Sequence, residues 1–358
     1  MIEHSKPAVG KDELDALKEV IATNYPAEGW AVRRFEDILS DYIGAKGAVA
    51  TSTGTLALHL ALLCLGIKPK DEIILPSYAC RSLLNAVLYT GARPVVCDVN
   101  IADYNISFTH ARIKLTRRTK AIIIPHMFGC PAEIDKFKNL GVPIIEDCAH
   151  SIGAEYKGRK AGSWGDLSVF SFEGTKYITT GEGGMVLVNS RQLLEKLKKL
   201  KEPESFDYKI KYTYRMSNLQ AAMGIAQLSK LKSFIEKRRK IARAYTRAFL
   251  NVNIALPKEP TEGLHIFHRY VVKIKGDINQ LMQCCYKKGI KVKQPIKPYP
   301  LHRYVELSGK NFPNTEYIMK SAVSIPIYPS LANKEIQLII DTVRNYQSNK
   351  KQWKAKIA

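Results

Sequence analysis

Apolar positions along the chain follow two rhythms. In residues 12–24 (DELDALKEVIATN), Leu14, Leu17, Val20 and Ile21 share one face of a 3.6-residue repeat. Asp12 stands early, and the pattern predicts an amphipathic helix. In residues 32–44 (VRRFEDILSDYIG), Phe35, Ile38, Leu39 and Tyr42 recur at i, i+3, i+4 and i+7, and Gly44 supplies a stop. Beyond Gly44 the rhythm changes to short apolar runs. These are GAVAT (47–51), DEIIL (71–75), RPVVCDV (93–99), KAIIIPH (120–126), VPIIED (142–147), LSVFSF (167–172) and GMVLV (184–188). Runs of that length without polar alternation suit strands buried on both faces. Helical patterns lie between several of them, such as TLALHLALLCLG (55–66) and RSLLNAVLYTG (81–91). The alternation predicts an α/β fold with a large, mostly parallel sheet. Some connections are too short for helices, so the strand order need not be a simple Rossmann order.

The pattern shifts again near Leu228. A long charged helix, roughly Gln227 to Leu250, leads into the proline-bearing link NVNIALPKEPTEG. A strand (HRYVVKIK), a helix (INQLMQCCYKKG) and a last helix (NKEIQLIIDTVRNY) follow. They predict a smaller C-terminal α/β domain. The chain's 358 residues also exceed what one small core needs. The expected division is 1–235 for the large domain and 236–358 for the small one. The longest charge-free stretch, Gly47 to Ile67, carries Ser52, Thr53, Thr55 and His59 and is broken by Gly54 and Gly66. It reads as strand, turn and buried helix rather than a membrane span. The first residues contain no apolar leader, and a cytoplasmic location is expected.

Composition adds little to this, and charge adds more. Hydrophobic content is 46% and charged content 25%, ordinary for a folded protein. The seven cysteines are odd in number and lack zinc-ligand spacing, so reduced, mostly buried thiols are expected and no metal. Lys+Arg number 55 against 33 Asp+Glu, a net charge of +22. Such an excess attracts polyanions. Many lysines sit on helix-like stretches such as LLEKLKKLKE and LKSFIEKRRK, where a solvated face is the simpler expectation. The basic tail SNKKQWKAKIA is expected to fray. No aromatic-interleaved basic patch speaks for nucleic acid.

Three strand ends carry chemistry. In ATSTGTLALHLAL a strand meets a helix start, where backbone N–H groups and the helix dipole favour an anion. Thr53 and Thr55 add hydroxyls and Gly54 allows close approach, although a threonine there is also a routine N-cap. In VPIIEDCAHSIGA, Glu146 and Asp147 close a buried strand, where ligands of open α/β sheets bind. They could equally cap a helix starting near Cys148. His150 lies three residues on. In FSFEGTKYITTGEGGMV, Lys176 stands between two strand-like runs. A buried lysine is costly unless paired, neutralised or used chemically. Desolvated, it loses its proton and can condense with a carbonyl. A lysine, an aspartate and a phosphate cradle on three strand ends suit pyridoxal phosphate.

These residues stand in an order that resembles the DegT/DnrJ/StrS-type sugar aminotransferases, a branch of the fold-type I pyridoxal-phosphate enzymes. The likeness runs nearly end to end. It includes RRFEDILSDYIGAKGAVATSTGTLALHLAL, DEIILPSYACRSLLNAVLYTGARPVVCDV, PHMFGCPAEID, the long stretch from IIEDCAHSIGA to GEGGMV, and YTYRMSNLQAAMGIAQL. The resemblance implies that Lys176 is the Schiff-base lysine and that Asp147 pairs with the pyridine nitrogen. It places His150 near the ring hydroxyl, and Gly54, Thr55 and Ser171 at the phosphate. Thr213 would reach into a neighbouring subunit's phosphate site, in a homodimer with shared active sites.

The chain departs from the family in two places. Cys80 stands where an aromatic residue usually stacks on the cofactor, with Tyr78 as a possible substitute. Thr213 stands where an asparagine is usual. A subgroup with histidine at the lysine position acts as sugar dehydratase; here the position is Lys176, which favours transamination. The function expected by resemblance is transfer of an amino group from glutamate or glutamine to a keto-sugar, a nucleotide-linked one being the first expectation, through pyridoxal and pyridoxamine phosphate. Dehydration, or amination of a non-nucleotide cyclic ketone such as an inosose, is the alternative. Arg215 and His302 are further candidates for substrate contact.

Overall fold

The computed structural model describes residues 1–201 and 210–355, with side chains through Gln347. Two helices open it, α1 (Lys11–Ala22) and α2 (Trp30–Ile43), and Gly44 ends α2 in the left-handed conformation. Five strands follow: β1 (Gly47–Thr51), β2 (Glu72–Pro76), β3 (Arg93–Cys97), β4 (Thr119–Pro125) and β5 (Ile144–Asp147). A short hairpin, β6 (Glu155–Tyr156) and β7 (Arg159–Lys160), precedes β8 (Leu167–Ser171) and β9 (Gly184–Val188). All seven apolar runs form strands, and they join one sheet in the order β1-β9-β8-β5-β4-β2-β3. Only β9 runs against its two neighbours. The C-terminal ends of the other six therefore share one edge, which the start of β9 joins.

Side chains alternate across this sheet as strand geometry dictates. Val49, Val186, Val169, Ile145 and Ile73 face one core, which α3 (Gly54–Cys64) and α4 (Arg81–Tyr89) cover. Ala50, Met185 and Phe170 face the other, packed by α1 and α2. The helix α3 is apolar almost all round because it lies wholly inside; Ala57, Leu60, Ala61 and Leu62 are fully buried. The charge-free stretch from Gly47 is thus strand, turn and buried helix. Among the described residues no helix is long and apolar enough to cross a membrane.

A second sheet, β10 (Ile254–Ala255), β12 (Tyr270–Ile274) and β13 (Ala322–Ile325), forms the C-terminal part, while β11 (Gly263–Leu264) pairs with β6. The observed fold is thus α/β, with a mostly parallel seven-stranded sheet and a smaller C-terminal sheet. The expected single helix over 227–250 is two. One spans Asn218–Ser229 and the next Leu231–Phe249, with the chain turning at Lys230. Gln227 is held inside the first by Glu13 and the Ala8 carbonyl. The second helix runs between cores: Phe234 packs with the large sheet, Tyr245 and Phe249 with the small one. Ile2 packs in the small core too, bridging to Ile290.

Two basic stretches are less solvated than their charge suggested. Lys201, at the end of the helix Arg191–Lys201, is buried on Glu28 and the Ala50 carbonyl. Arg238 is buried, donating to the carbonyls of His268 and Ile327 and lying 4.6 Å from the Tyr177 ring centre. The last helix, Asn333–Ala355, takes in most of the basic tail expected to fray; residues 356–358 lie outside the described residues. All seven cysteines are free, and only Cys80 is exposed.

Candidate active site

The shared strand edge holds a cavity of about 360 Å³. Thr53, Gly54, Thr55, Cys80, Asp147, His150, Ser171 and Lys176 all line it. Eight of the nine residues expected at a cofactor therefore converge, although they come from five segments of the chain. The ladder explains part of this. Thr51 pairs with Gly184, and Gly184 with Ser171, so the ends of β1 and β8 flank the start of β9. Pro125 pairs with Asp147, and Asp147 with Val169, which sets the end of β5 beside them.

The phosphate-cradle candidate is built by close contact. Thr53 is the N-cap of α3, its hydroxyl accepting from Leu56 N–H at 3.2 Å. The routine N-cap reading of that threonine is therefore true, and it leaves the first N–H groups of α3 open to the cavity side. A side chain at Gly54 would bring its Cβ within 2.7 Å of Ser171 Cβ. One at Gly184 would collide with the Thr53 backbone. Glycine is needed at both positions so that three segments can touch.

Glu146 and Asp147 point to opposite sides of the sheet and do different things. Glu146 is fully buried and accepts four hydrogen bonds: His126 Nε2 at 2.9 Å, and the N–H groups of Gly162 (2.8 Å), Trp164 (2.7 Å) and Gly165 (2.6 Å). Burial pushes its pKa up, but the bonds from His126 and the backbone outweigh it, and the carboxyl is held below its usual value. His126 Nδ1 accepts from Ala132 N–H, so its proton sits on Nε2, toward Glu146. His126, Glu146 and Cys148 are close enough to suggest a metal site, but hydrogen bonds already occupy the Glu146 oxygens and both His126 nitrogens. Among the described residues Asp147 accepts only from Ala149 N–H, at 3.0 Å, and no helix follows it directly. The helix-capping alternative is thus excluded for both acids. Burial raises the Asp147 pKa, tempered by that N–H and by the charge of Lys176.

Lys176 sits in the turn after β8, its N–H bonded to the Glu173 carbonyl at 2.8 Å. Among the described residues its Nζ makes no hydrogen bond and no ion pair within 4.0 Å. Burial lowers its pKa, opposed mainly by Asp147. His150 stacks on His268 at 4.4 Å and 15°, with Phe128 on its other side at 6.0 Å and 18°. Burial, then the charges of Lys176 and Arg269, hold His150 far below its usual pKa, so it is a neutral imidazole.

The residues fit pyridoxal phosphate. A desolvated, unpartnered amine faces an aldehyde-sized space, a lightly bonded carboxylate lies on the cavity floor, and a helix start with two adjoining hydroxyls, Thr55 and Ser171, forms one rim. Each feature is costly by itself and compensated by a ligand with an electrophile, a basic nitrogen and a phosphate.

Some expected residues lie elsewhere. Thr213 is exposed on an extended segment outside this chain's cavity; its neighbours Tyr212 and Tyr214 pack on His59. Arg215 is exposed, 3.7 Å from Glu28. His302 is not a substrate group: it is fully buried, bonded to Ser77 Oγ at 2.6 Å and Glu316 at 3.0 Å, and stacked on Phe312. Tyr78 does not replace the missing aromatic, because it is buried against Tyr104 and Phe128 away from the cavity. Sequence reasoning did not single out His126, Glu173 and Glu182, which also line the cavity. Their signal was position: one follows β4, and the others flank Lys176.

Comparison with known proteins agrees with this geometry. The sequence profile of the DegT/DnrJ/EryC1/StrS aminotransferase family matches residues 7–344. A GDP-perosamine synthase of Escherichia coli O157:H7 is 32% identical, covering 96% of this chain and 98% of that protein. The crystal structure of the aminotransferase TlmJ from Streptoalloteichus hindustanus superposes with a TM-score of 0.90 at 28% identity, covering 96% and 98%. Spr1654 of Streptococcus pneumoniae, solved in its PLP-form, shares the fold with a TM-score of 0.92 at 23% identity, covering 97% and 99%.

Proposed function

The chain belongs to the DegT/DnrJ/EryC1/StrS aminotransferase family of pyridoxal-phosphate enzymes, and on that footing we propose a specific reaction. An amino group passes from glutamate or glutamine to the carbonyl of a keto-sugar carried on a nucleotide diphosphate. The E. coli relative is named for a GDP-linked sugar, which supports that substrate class. The +22 charge supports an anionic substrate in the same direction.

Pyridoxal phosphate supplies an aldehyde that captures amines and a ring that withdraws electrons from the captured carbon. Around it the chain's own groups have separate tasks. Lys176 Nζ, its pKa lowered by burial, would anchor the cofactor covalently and, once released, would move a proton to and from the substrate carbon. Asp147 would face the ring nitrogen and, as a carboxylate, would keep that nitrogen protonated. The α3 N-terminus with Thr55 and Ser171 binds the phosphate. Neutral His150 offers a hydrogen bond near the ring hydroxyl. The cavity walls limit water around the exchanged proton. A second copy of the chain would bring its Thr213 to this rim.

The observation that carries the reading is the partnerless Lys176 amine over Asp147. The test is direct. Purified protein absorbs visible light, and Lys176→Ala loses both the band and turnover. With ¹⁵N-labelled glutamate and a panel of keto-sugars, nitrogen appears in the product. A colourless wild-type protein that binds no cofactor overturns the proposal. A deoxygenated product without nitrogen favours dehydration.

A further inference from the structure

We infer that the C-terminal part of the chain carries a basic face that docks on an anionic lipid surface. The inference does not depend on the proposed substrate. Residues 236–358 hold 24 Lys and Arg against 8 Asp and Glu, a net charge of +16. Residues 1–235 hold 31 against 25, a net charge of +6. Every residue lining the strand-edge cavity belongs to 1–235. Most of the chain's excess charge therefore lies away from the walls of the reaction space.

Three helices cover one face of the second sheet. The helix Leu231–Phe249 sends Ile241, Tyr245 and Phe249 into the core beneath it. Ile278–Lys287 sends Leu281 and Cys285, and Asn333–Ala355 sends Ile339, Ile340 and Val343. The last of these packs against both others, so the three adjoin. Burying one stripe of a helix turns the opposite stripe outward. On Leu231–Phe249 the outward positions are Lys232, Glu236, Lys240, Arg243 and Arg247, with Lys237 exposed beside them. From Lys232 to Arg247 the stripe is about 22 Å long at helical rise. Among the described residues Arg239 is the one cation of this helix paired with a carboxylate, Glu259 at 2.9 Å. The neighbouring helices add exposed Lys287, Lys334 and Arg344. Beyond Asp341 the sequence holds five cations and no further acid.

Apolar side chains interrupt this charge. Leu250, just past the stripe, is 68% exposed, Leu338 is 41% and Tyr286 is 62% exposed. Beside Ile278–Lys287 lies an open groove of about 590 Å³. Met282, Tyr286, Ile290 and Val292 line it together with Lys287, Lys291 and Lys293. Lys291 pairs with Glu3 at 2.6 Å, and the other two lysines have no carboxylate partner among the described residues. Cations with apolar groups between them match anionic headgroups over acyl chains, where both kinds of side chain gain. A nucleic acid duplex would use the cations alone, because the contacts it offers most are phosphates. The mixture therefore favours a lipid surface.

The experiment sediments the full-length protein with vesicles of phosphatidylcholine, alone or mixed with phosphatidylglycerol. Wild type should bind the anionic vesicles and leave the neutral ones. Binding should be lost as salt rises from about 0.1 M to about 1 M. The triple variant Lys240→Gln, Arg243→Gln, Arg247→Gln removes three charges of the stripe. Each basic residue near an anionic bilayer strengthens binding about fivefold, so this variant should bind on the order of 100-fold more weakly. A control, Lys196→Gln, Lys198→Gln, Lys199→Gln, removes three exposed charges from the helix Arg191–Lys201 and should bind within about 3-fold of wild type. All six positions are exposed, so both variants should keep the wild-type circular dichroism. If the first does not fold, the salt and lipid dependence of wild type decide. Wild type that ignores both vesicles or binds both alike overturns the inference. So do equal losses in the two variants, or retention of duplex DNA in place of vesicles. Amino transfer is assayed without lipid, so its failure is read separately.

Discussion

Replacing Glu146 by glutamine keeps its shape and removes its charge, and the structure sets the consequence. Two N–H donors converge on each carboxylate oxygen: His126 and Gly162 on one, Trp164 and Gly165 on the other. Whichever way the amide turns, its NH₂ faces two N–H groups that then lack an acceptor. His126 cannot escape by changing tautomer, because its Nδ1 already accepts from Ala132. Each buried donor left unmade costs about 1–3 kcal/mol, so Glu146→Gln should destabilise by about 2–6 kcal/mol. The same exchange at Asp147 should behave oppositely. Its single acceptor bond to Ala149 survives in asparagine, and a buried carboxyl with a raised pKa is lost. Asp147→Asn should therefore leave stability of the cofactor-free protein unchanged or slightly higher, yet abolish turnover. Urea denaturation of the cofactor-free proteins, followed by fluorescence and circular dichroism, measures both. The Glu146 carboxyl is held low, so its contribution is present above about pH 4.5 and is lost as pH falls through the folded value. The wild-type advantage over Glu146→Gln should shrink accordingly in acid. A Glu146→Gln penalty under about 1 kcal/mol, below the cost of one unmade bond, would refute the reasoning. So would an Asp147→Asn variant that unfolds as readily as Glu146→Gln.

Three further outcomes follow from the same contacts. Gly54→Ala places a Cβ 2.7 Å from Ser171 Cβ and should displace that serine from the α3 start, with cofactor retention, measured by dialysis, falling about tenfold for one lost charge-assisted bond. Cys80→Phe restores a ring at the cavity and should slow cofactor release about 2- to 10-fold, the value of one aromatic pair. His4 and His265 are buried neutral, with pKa values pushed down to about 3, mainly by burial. The unfolded chain binds their protons first, so stability present above about pH 6.5 is lost as pH falls toward about 3, by up to about 1.4 kcal/mol per pH unit for each. His265→Gln should flatten the urea midpoint against pH between 7 and 4, and an unchanged slope would count against the assignment.

The seven strands, the first two helices and the wholly buried α3 were legible because each is a local rhythm of apolar positions. Strand burial on two faces leaves unbroken apolar runs, and one-sided helix burial leaves a 3.6-residue stripe. The split at Lys230 was not legible, since the apolar positions Leu228, Leu231, Phe234 and Ile235 run across it and no glycine or proline marks a stop. Residue types at strand ends, set in a family-like order, sufficed to single out Lys176, Asp147 and the Thr53–Thr55 turn. Sequence could not tell Glu146 from Asp147 by role. That depends on which face of β5 meets the loop 162–165, a contact between segments distant in the chain. Nor could it show that Tyr78 turns away from the cavity or that His302 is locked in the core. Periodicity records what each segment buries. Which side chains share a cavity is decided by how strands pair, and pairing is a property of the assembled sheet.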